Sequence, residues 1–251
     1  MRGLAGKSII VTGGGSGIGA AAAEVLGEEG CRVTVADTNE EGGRSVADAI
    51  CKAGQGHAQF VRTDVSDEAQ VQAMIAAAEA AYGGVDGAIN SAGVGQRGVP
   101  MDELTSAEWQ RVHNINLFGM FLCFKYQVKA LKRRGGGSLV AISAGSAIMG
   151  VPNSSEYSAA KSGVNGLVRA TSVDYAAQNI RVNAILPGGT KTPMMMSAMA
   201  QDPNIGRIIE TFPMKRAAEP REIAETAVWL LSDGASYVTG ATWTVDGALS
   251  L

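Results

Sequence analysis

Residues 8–19 have the sequence Ser-Ile-Ile-Val-Thr-Gly-Gly-Gly-Ser-Gly-Ile-Gly, and an alanine-rich segment follows them directly. The short apolar, β-branched run predicts a buried strand, and the alanine-rich segment predicts a helix that begins at Gly17. Glycines between a strand and a helix permit a tight turn and let the backbone approach a pyrophosphate, whose charge the helix amino terminus favours. This context predicts the first unit of a dinucleotide-binding fold, with a glycine turn that binds no ligand as the alternative.

The same alternation of short apolar runs and longer helical segments continues to about residue 183. Strands are predicted at 8–12, 32–36, 58–63, 87–90, 138–142, 181–186 and 238–245, and helices at 17–29, 40–53, 68–82, 106–133, 155–177 and 220–232. Strands that are apolar throughout are buried on both faces, and helical crossovers between them imply a parallel sheet with helices on both sides. The sequence therefore predicts a doubly wound, Rossmann-type parallel α/β fold.

One domain is expected to span residues 1–251, because the length suits one large core and no linker rich in proline, serine or charge divides the chain. Residues 188–219 lack a strand signal and contain several methionines, so we expect a substrate-loop insertion there. An irregular insertion after the last central strand lies at the carboxyl ends of the strands, where ligands bind. The methionines fit either a mobile lid over an apolar substrate or the packing of a short helix.

Composition excludes several classes of partner. The net charge is -3 and the 21 basic residues are scattered, which predicts neither nucleic-acid nor membrane binding. The amino terminus lacks the apolar segment of a signal peptide, and no apolar run approaches the length of a membrane span. The cysteines, Cys31, Cys51 and Cys123, have no metal-type spacing, and His57 and His113 lie far from any such cluster. We expect a cytoplasmic protein with reduced thiols, no metal and a small-molecule substrate.

Asp37 ends the second predicted strand, 18 residues after Gly19. An acid at this place can bond the ribose hydroxyls of a dinucleotide, and its charge would repel a 2′-phosphate. Thr38 and Asn39 follow it, so no basic side chain is adjacent. The pattern favours NAD over NADP, and the alternative is an acid that caps a turn.

Tyr157 and Lys161 lie four residues apart within a predicted helix and therefore share one face. A phenol has a pKa of about 10, and a nearby ammonium favours the phenolate. We expect the pair to act as a general acid and base, with an exposed surface pair as the alternative.

Taken together, the ordered motifs resemble those of the short-chain dehydrogenase/reductase family over essentially the whole chain. Residues 12–19 resemble the family pattern Thr-Gly-x-x-x-Gly-x-Gly, and residues 187–192 resemble Pro-Gly-x-x-x-Thr. The remaining matches are Asp64-Val65, Asn90-Ser91-Ala92-Gly93, Asn116, Tyr157 with Lys161, and Asp246-Gly247.

The resemblance implies a seven-stranded sheet, a nicotinamide dinucleotide, and oxidation of a secondary alcohol or reduction of a ketone. It implies that Tyr157 moves the hydroxyl proton, that Lys161 lowers the pKa of Tyr157 and holds the nicotinamide ribose, and that Asn116 places a water in the proton relay. It also implies a homotetramer or homodimer built through the long helices. The cofactor-binding residues that it implies are Gly13, Ser16, Gly17, Ile18, Gly19, Asp37, Asp64, Val65, Asn90, Ala92, Gly93, Tyr157, Lys161, Pro187, Gly188, Thr190 and Thr192.

The correspondence fails at Ala144, where the family has a serine 13 residues before the tyrosine. The substrate oxygen is then expected to meet Tyr157, Ala144 and Ser143, with Ser143 or Ser146 as replacement donors if the loop shifts or coils back. Loss of one such donor lowers rates by about 100-fold to 1,000-fold. We therefore expect slow alcohol oxidation with NAD. The alternatives are an NADPH-dependent ketoreductase, which Asp37 disfavours, and a catalytically weak cofactor-binding protein, which Ala144 alone supports.

Overall fold

The computed structural model describes residues 1–201 and 209–251 and contains one sheet of seven parallel strands. The strands are β1 (Ser8–Thr12), β2 (Arg32–Asp37), β3 (His57–Arg62), β4 (Gly87–Asn90), β5 (Gly137–Ile142), β6 (Ile180–Pro187) and β7 (Thr242–Val245). Their spatial order is β3-β2-β1-β4-β5-β6-β7, so the chain reverses its direction of winding between β1 and β4. The predicted doubly wound parallel fold is confirmed.

Helices cover both faces of the sheet. They are α1 (Gly17–Glu28), α2 (Glu40–Ala53), α3 (Glu68–Tyr82), α4 (Ser106–His113), α5 (Gly119–Arg134), α6 (Ser155–Tyr175), α7 (Pro193–Gln201) and α8 (Pro220–Leu231). Because side chains alternate along a strand, Ile9 and Val11 of β1 join the core under α1, α2 and α8, whereas Ile10 joins the core under α3, α5 and α6.

Local sequence signals account for most element boundaries. Asn39 accepts a hydrogen bond from the Gly42 backbone at the start of α2, and Asp67 does the same for two amides at the start of α3. Gly54 and Gly83 end these helices in the left-handed conformation. The predicted limits of β1, β4, α2 and α3 are confirmed, and most others differ by one or two residues.

The structure differs from the prediction in three places. The helix predicted at 106–133 is divided into α4 and α5 by a π-helical turn at Asn114–Phe118. The last strand, predicted at 238–245, is confined to Thr242–Val245. The insertion at 188–219 contains the regular helix α7, which Thr192 caps by accepting a hydrogen bond from the Met195 amide at 3.3 Å. Positions 202–208 of that predicted insertion lie outside the described residues.

Within residues 1–201 and 209–251, no helix combines the length and apolar character that crossing a membrane requires.

Candidate functional site

The glycine turn forms a side-chain-free cradle at the carboxyl ends of β1, β2 and β4. The Gly14 amide donates to the Ala36 carbonyl at 3.2 Å and ties the turn to β2. A side chain at Gly13 would start 2.6 Å from the Ala92 nitrogen, and one at Gly19 would start 2.1 Å from the Gly13 oxygen. Backbone groups therefore line this surface, as close approach of a pyrophosphate requires.

Other predicted residues of the turn divide between surface and core. Ser16 is exposed immediately before α1, where a phosphate would meet the helix amino terminus. Ile18 packs partly buried against the core and anchors the first turn of that helix.

Asp37 lies at the end of β2 beside the glycine turn. Its carboxylate accepts hydrogen bonds from the Gly15 amide at 2.8 Å and the Asn39 amide at 2.9 Å. These two bonds fix the acid at the rim of the cradle. Asp37 therefore caps a local turn, as the alternative interpretation of the sequence expects, and it does so beside the glycine cradle.

Tyr157 and Lys161 both belong to the helix α6. The Lys161 Nζ lies 5.6 Å from the centroid of the Tyr157 ring and donates to the Ile142 carbonyl at 2.8 Å. Lys161 is 4% exposed, so the surface-pair alternative is wrong. Burial lowers the pKa of Lys161 to about 8 and raises the pKa of Tyr157 to about 12.

The expected lowering of the Tyr157 pKa is therefore wrong in direction. Desolvation disfavours both charged forms, and it is the cause of the upward shift at Tyr157 and of the downward shift at Lys161. Tyr157 accordingly holds its proton at neutral pH.

Asn116 connects the π-helical turn at Asn114–Phe118 to the loop after β4. Its Oδ1 accepts from the Val94 amide at 2.8 Å, and its Nδ2 donates to the Val94 carbonyl at 2.9 Å. A side chain at Gly93 would start 3.1 Å from the Asn116 Oδ1 and 3.8 Å from the Lys161 Nζ. The π-helical turn at Asn114–Phe118 thus places Asn116 in the same corner as Lys161.

Of the two hydroxyls beside Ala144, that of Ser143 is committed to a hydrogen bond and that of Ser146 is not, within the described part of the chain. Ala144 has extended backbone and precedes a 3₁₀ turn at Gly145–Ala147. The Ser143 hydroxyl is buried and donates to the Lys161 carbonyl at 3.2 Å, so it supports α6 and does not face outward as a spare donor. The loop does coil at Ser146, but the Ser146 hydroxyl is buried, and it has no hydrogen-bond partner among the described residues.

Two further groups of predicted cofactor contacts have side chains committed elsewhere. Asn90 exchanges two hydrogen bonds of 2.8 Å with Gln127 of α5 in the core, which leaves its backbone as the part that faces the site. Asp64 accepts from the amide and hydroxyl of Ser66, at 2.9 and 2.7 Å, and Val65 is buried. Sequence motifs did not predict Gln127.

The loop after β6 closes the other side of the cradle. A side chain at Gly17 would start 3.1 Å from Thr192, which places this threonine against the glycine turn. Thr190 is buried and bonds the Gly188 carbonyl at 3.0 Å. Asp246 lies against Gly188, and its carboxylate accepts hydrogen bonds from the amides of Ala248 and Ser250. The amide of Gly188, which follows Pro187, donates to the Val245 carbonyl. The predicted loop residues are thus brought together.

Glu156 is the site residue that the sequence interpretation missed. It is fully buried, and its Oε1 accepts from the Arg97 amide at 2.7 Å. The sequence does contain a signal for Glu156. This residue begins a series at intervals of four, and the other members, Ala160, Val164 and Val168, all face the core. An acidic residue within a buried helical stripe is unusual, and this marks Glu156 as a candidate site residue beside Tyr157.

The two histidines serve local packing. The His113 ring stacks on Trp109 with centroids 4.2 Å apart, and its Nδ1 lies 3.0 Å from the Trp109 carbonyl oxygen. His57 is exposed at the start of β3. In the part of the chain that the structure describes, no group of three His, Cys, Asp or Glu side chains could hold a metal ion.

Comparison with known proteins gives matches along the whole chain. A family model described as enoyl-(acyl carrier protein) reductase matches residues 13–250. The chain is 44% identical over 252 residues to the 2,5-dichloro-2,5-cyclohexadiene-1,4-diol dehydrogenase of Sphingobium indicum, over 100% of this chain and 99% of that protein.

Two solved structures are similar over nearly their full length. Levodione reductase has a TM-score of 0.95 at 38% identity and covers 98% of each chain. The 3-ketoacyl-(acyl-carrier-protein) reductase of Brucella melitensis, complexed with NADH, has a TM-score of 0.91 at 30% identity, over 99% of this chain and 100% of that one.

Proposed function

We propose, because the chain belongs to the short-chain dehydrogenase/reductase family of alcohol–ketone oxidoreductases, that it oxidises a secondary alcohol on a carbocyclic ring with NAD. The observation that carries this proposal is that Lys161 lies next to the Tyr157 ring and, at Gly93, next to Asn116, beside the glycine cradle. A phenol, an ammonium and an amide gathered at one buried corner suit proton movement to and from a substrate oxygen.

The residues present fit a nicotinamide dinucleotide. The cradle at Gly13 and Gly19 has no room for side chains, and Asp37 stands where ribose hydroxyls would meet it. Thr192 and the backbone at Gly188 would hold the nicotinamide end. When bound, the nicotinamide accepts a hydride from the alcohol carbon or returns one to the ketone carbon.

The protein's own residues handle the proton. In the oxidative direction the deprotonated Tyr157 takes the hydroxyl proton and becomes a neutral phenol as the alcohol carbon gives up its hydride, so that a ketone and a reduced cofactor would be the products. In the reductive direction the neutral phenol donates that proton. Because burial raises the pKa of Tyr157 to about 12, the phenol form prevails at neutral pH and favours reduction, and oxidation gains as the pH rises. Rates in both directions from pH 7 to 10 test this.

The substrate class rests on two observations. The similar diol dehydrogenase of Sphingobium indicum is named for a cyclohexadiene diol. In the structure, Met194 of α7 is exposed and contacts the position of Gly95, and Met196 of the same helix is exposed as well. Flexible apolar side chains there suit a carbocycle better than a charged substrate.

NAD is proposed over NADP because the Asp37 carboxylate lies at the rim of the glycine cradle, where its charge would repel the 2′-phosphate of NADP. One feature favours the alternative, since Arg62 lies opposite Asp37 in the β2–β3 register and is exposed. Dissociation constants for NADH and NADPH decide between them, and tighter NADPH would overturn the assignment. Arg62→Ala tests the alternative directly, because loss of NADPH binding alone would identify Arg62 as the phosphate contact.

The activity is tested with cyclohexanol and cyclohexanediols plus NAD, by following NADH absorbance. Slow but saturable turnover is expected, since the Ala144 position lacks a hydroxyl donor. The contradictory result is NADH binding without turnover of any ring alcohol, which would support the cofactor-binding alternative.

We also propose a homodimer or homotetramer in the cytoplasm. Phe118 and Phe121 stack on the surface near the start of α5 with centroids 6.0 Å apart, and each exposes more than two-fifths of its surface. Exposed aromatic pairs on a long helix are typical of self-association surfaces. Native mass spectrometry tests the assembly, and a monomer at micromolar concentration would contradict it.

A further inference from the structure

Loop 91–100, which joins β4 to the short turn at Met101–Glu103, runs from the catalytic corner to the helix α7. At one end, Gly93 borders Asn116 and Lys161. Further along, a side chain at Gly95 would start 3.3 Å from the Met194 Cγ, so the loop and α7 are in contact there. The loop has no regular secondary structure, and its position depends on contacts from other elements.

Two side chains hold the loop by its backbone. Asn116 holds both the amide and the carbonyl of Val94, at 2.8 and 2.9 Å. Glu156 holds the Arg97 amide at 2.7 Å through Oε1. The two clamps lie on either side of Gly95, the residue against which Met194 rests. Both clamping side chains are fully buried, and the hydrogen bonds that they make to the more exposed loop are partly shielded from water.

The environment of Glu156 is costly for a residue with a purely structural role. Its second oxygen, Oε2, is buried and accepts no hydrogen bond from any residue that the structure describes. A buried carboxylate with half of its acceptors unused is disfavoured relative to an apolar side chain in the same helical stripe. Groups of this kind are typical of functional sites, where position matters more than stability.

Arg97 is also held from outside by a weaker contact. Its guanidinium pairs with Glu108 of α4 at 2.8 Å, and both side chains are partly exposed. Solvent screens such a pair, so the partly buried hydrogen bond from the Arg97 amide to Glu156 holds the loop more firmly.

We propose that Glu156 is a positioning residue, which fixes the substrate side of loop 91–100 relative to its neighbour Tyr157. The carboxylate does not touch the reacting atoms. It holds the Arg97 amide and thereby fixes the position of Gly95, which Met194 contacts. The inference rests on the proposed function for its kinetic part, because the loop matters to turnover only if a ring alcohol binds between loop 91–100 and α7.

The test compares Glu156→Ala, Glu156→Asp and Glu156→Gln. Alanine removes the acceptor, aspartate is one methylene too short to reach the Arg97 amide, and glutamine keeps an acceptor oxygen. We expect alanine and aspartate to raise KM for the alcohol about tenfold, with kcat changed less than about threefold. The dissociation constant of NAD should not change, and glutamine should remain within about threefold of the unmodified protein.

Amide hydrogen exchange followed by NMR provides a readout that needs no substrate. In Glu156→Ala and Glu156→Asp the Arg97 amide should exchange at least about tenfold faster, whereas the Val94 amide keeps its protection. If no protein in the series oxidises an alcohol, the proposed function fails, and the Arg97 exchange still decides whether Glu156 holds the loop.

Asp86→Ala provides the matched control, because Asp86 is also a buried carboxylate that accepts a backbone amide hydrogen bond, that of Ser8 at 2.9 Å. It lies at the opposite end of the sheet and should lower the melting temperature without changing KM. The proposal is overturned if Arg97 exchange is unaltered in the alanine and aspartate variants, or if their KM values equal that of Asp86→Ala. It is also overturned if glutamine raises KM as much as alanine does.

Discussion

At the amino ends of the strands, Asp86 accepts from the Ser8 amide and pairs with Arg134 at 2.8 Å and Lys7 at 3.6 Å. At the carboxyl ends, Lys161 is buried against a carbonyl and Glu156 has one unused oxygen. The pairing lowers the pKa of Asp86, while burial lowers the pKa of Lys161 to about 8. The acid at the amino ends is paired with opposite charges and stabilises the fold, whereas Lys161 and Glu156 at the carboxyl ends have no oppositely charged partner among the described residues.

Arg181 extends the same contrast. It lies on β6 at the amino-terminal end and donates to the carbonyls that end α8, including Leu230 at 2.8 Å and Ser232 at 3.2 Å. A cation at a helix carboxyl terminus is a stabilising arrangement. Among the residues that the structure describes, Lys161 has a single carbonyl acceptor, that of Ile142 at 2.8 Å, whereas Arg181 donates to four carbonyls. Burial lowers the pKa of both cations, so the two ends differ in the number of acceptors around the cation.

The largest expected effect is at the carboxyl end. Tyr157→Phe removes the proton acceptor and donor, so kcat for alcohol oxidation should fall by about 100-fold to 10,000-fold, with NAD binding retained. Steady-state kinetics with the active ring alcohol checks this. Unchanged turnover would move the chemistry away from Tyr157 and remove the contrast between the two ends.

Lys161→Met should stabilise the protein while it inactivates it. The folded-state pKa of about 8 lies below the ordinary value of 10.5, so burial of the ammonium costs stability below pH 8, and this cost disappears as the pH rises towards 10.5. The variant should gain about 2–3 kcal/mol in the free energy of unfolding at pH 7 and little at pH 10. Urea unfolding at both pH values measures it. A loss of stability at pH 7 would mean that the Ile142 contact outweighs desolvation.

Asp86→Ala removes the paired carboxylate at the amino ends of the strands. It leaves the Ser8 amide and Arg134 without their partner, and we expect a loss of about 2–3 kcal/mol in the free energy of unfolding. Turnover per folded molecule and KM should not change, because Asp86 is remote from the carboxyl edge. Thermal unfolding and kinetics on the same sample provide the check, and a selective rise in KM would contradict the separation of roles.

Most of the fold could be predicted from the sequence because hydrophobic period and capping residues are local properties. The strand at Ser8–Thr12 and the helix at Glu68–Tyr82 follow from such signals. The π-helical turn at Asn114–Phe118 could not be predicted in this way, since it accompanies a tertiary contact of Asn116 with Val94. Helical period continues through it without a visible break.

In the site, too, local spacing could be read from the sequence, whereas burial and long-range contacts could not. The spacing of Tyr157 and Lys161 identified the pair, and the structure brings Asn116 to it. The upward shift of the Tyr157 pKa depends on burial, which four-residue spacing does not reveal. The commitment of Ser143 to α6 and of Asn90 to Gln127 likewise depends on partners 18 and 37 residues distant in sequence.

We propose that an alcohol binds beside Tyr157 at the carboxyl ends of the strands and that Ala144 leaves the substrate oxygen one hydrogen-bond donor short. The most direct test is kcat/KM for a ring alcohol with NAD, measured for the unmodified protein and for Ala144→Ser. We predict a gain of about 100-fold to 1,000-fold for the serine variant, with the dissociation constant of NAD unchanged. An equal or lower kcat/KM in Ala144→Ser would contradict the account.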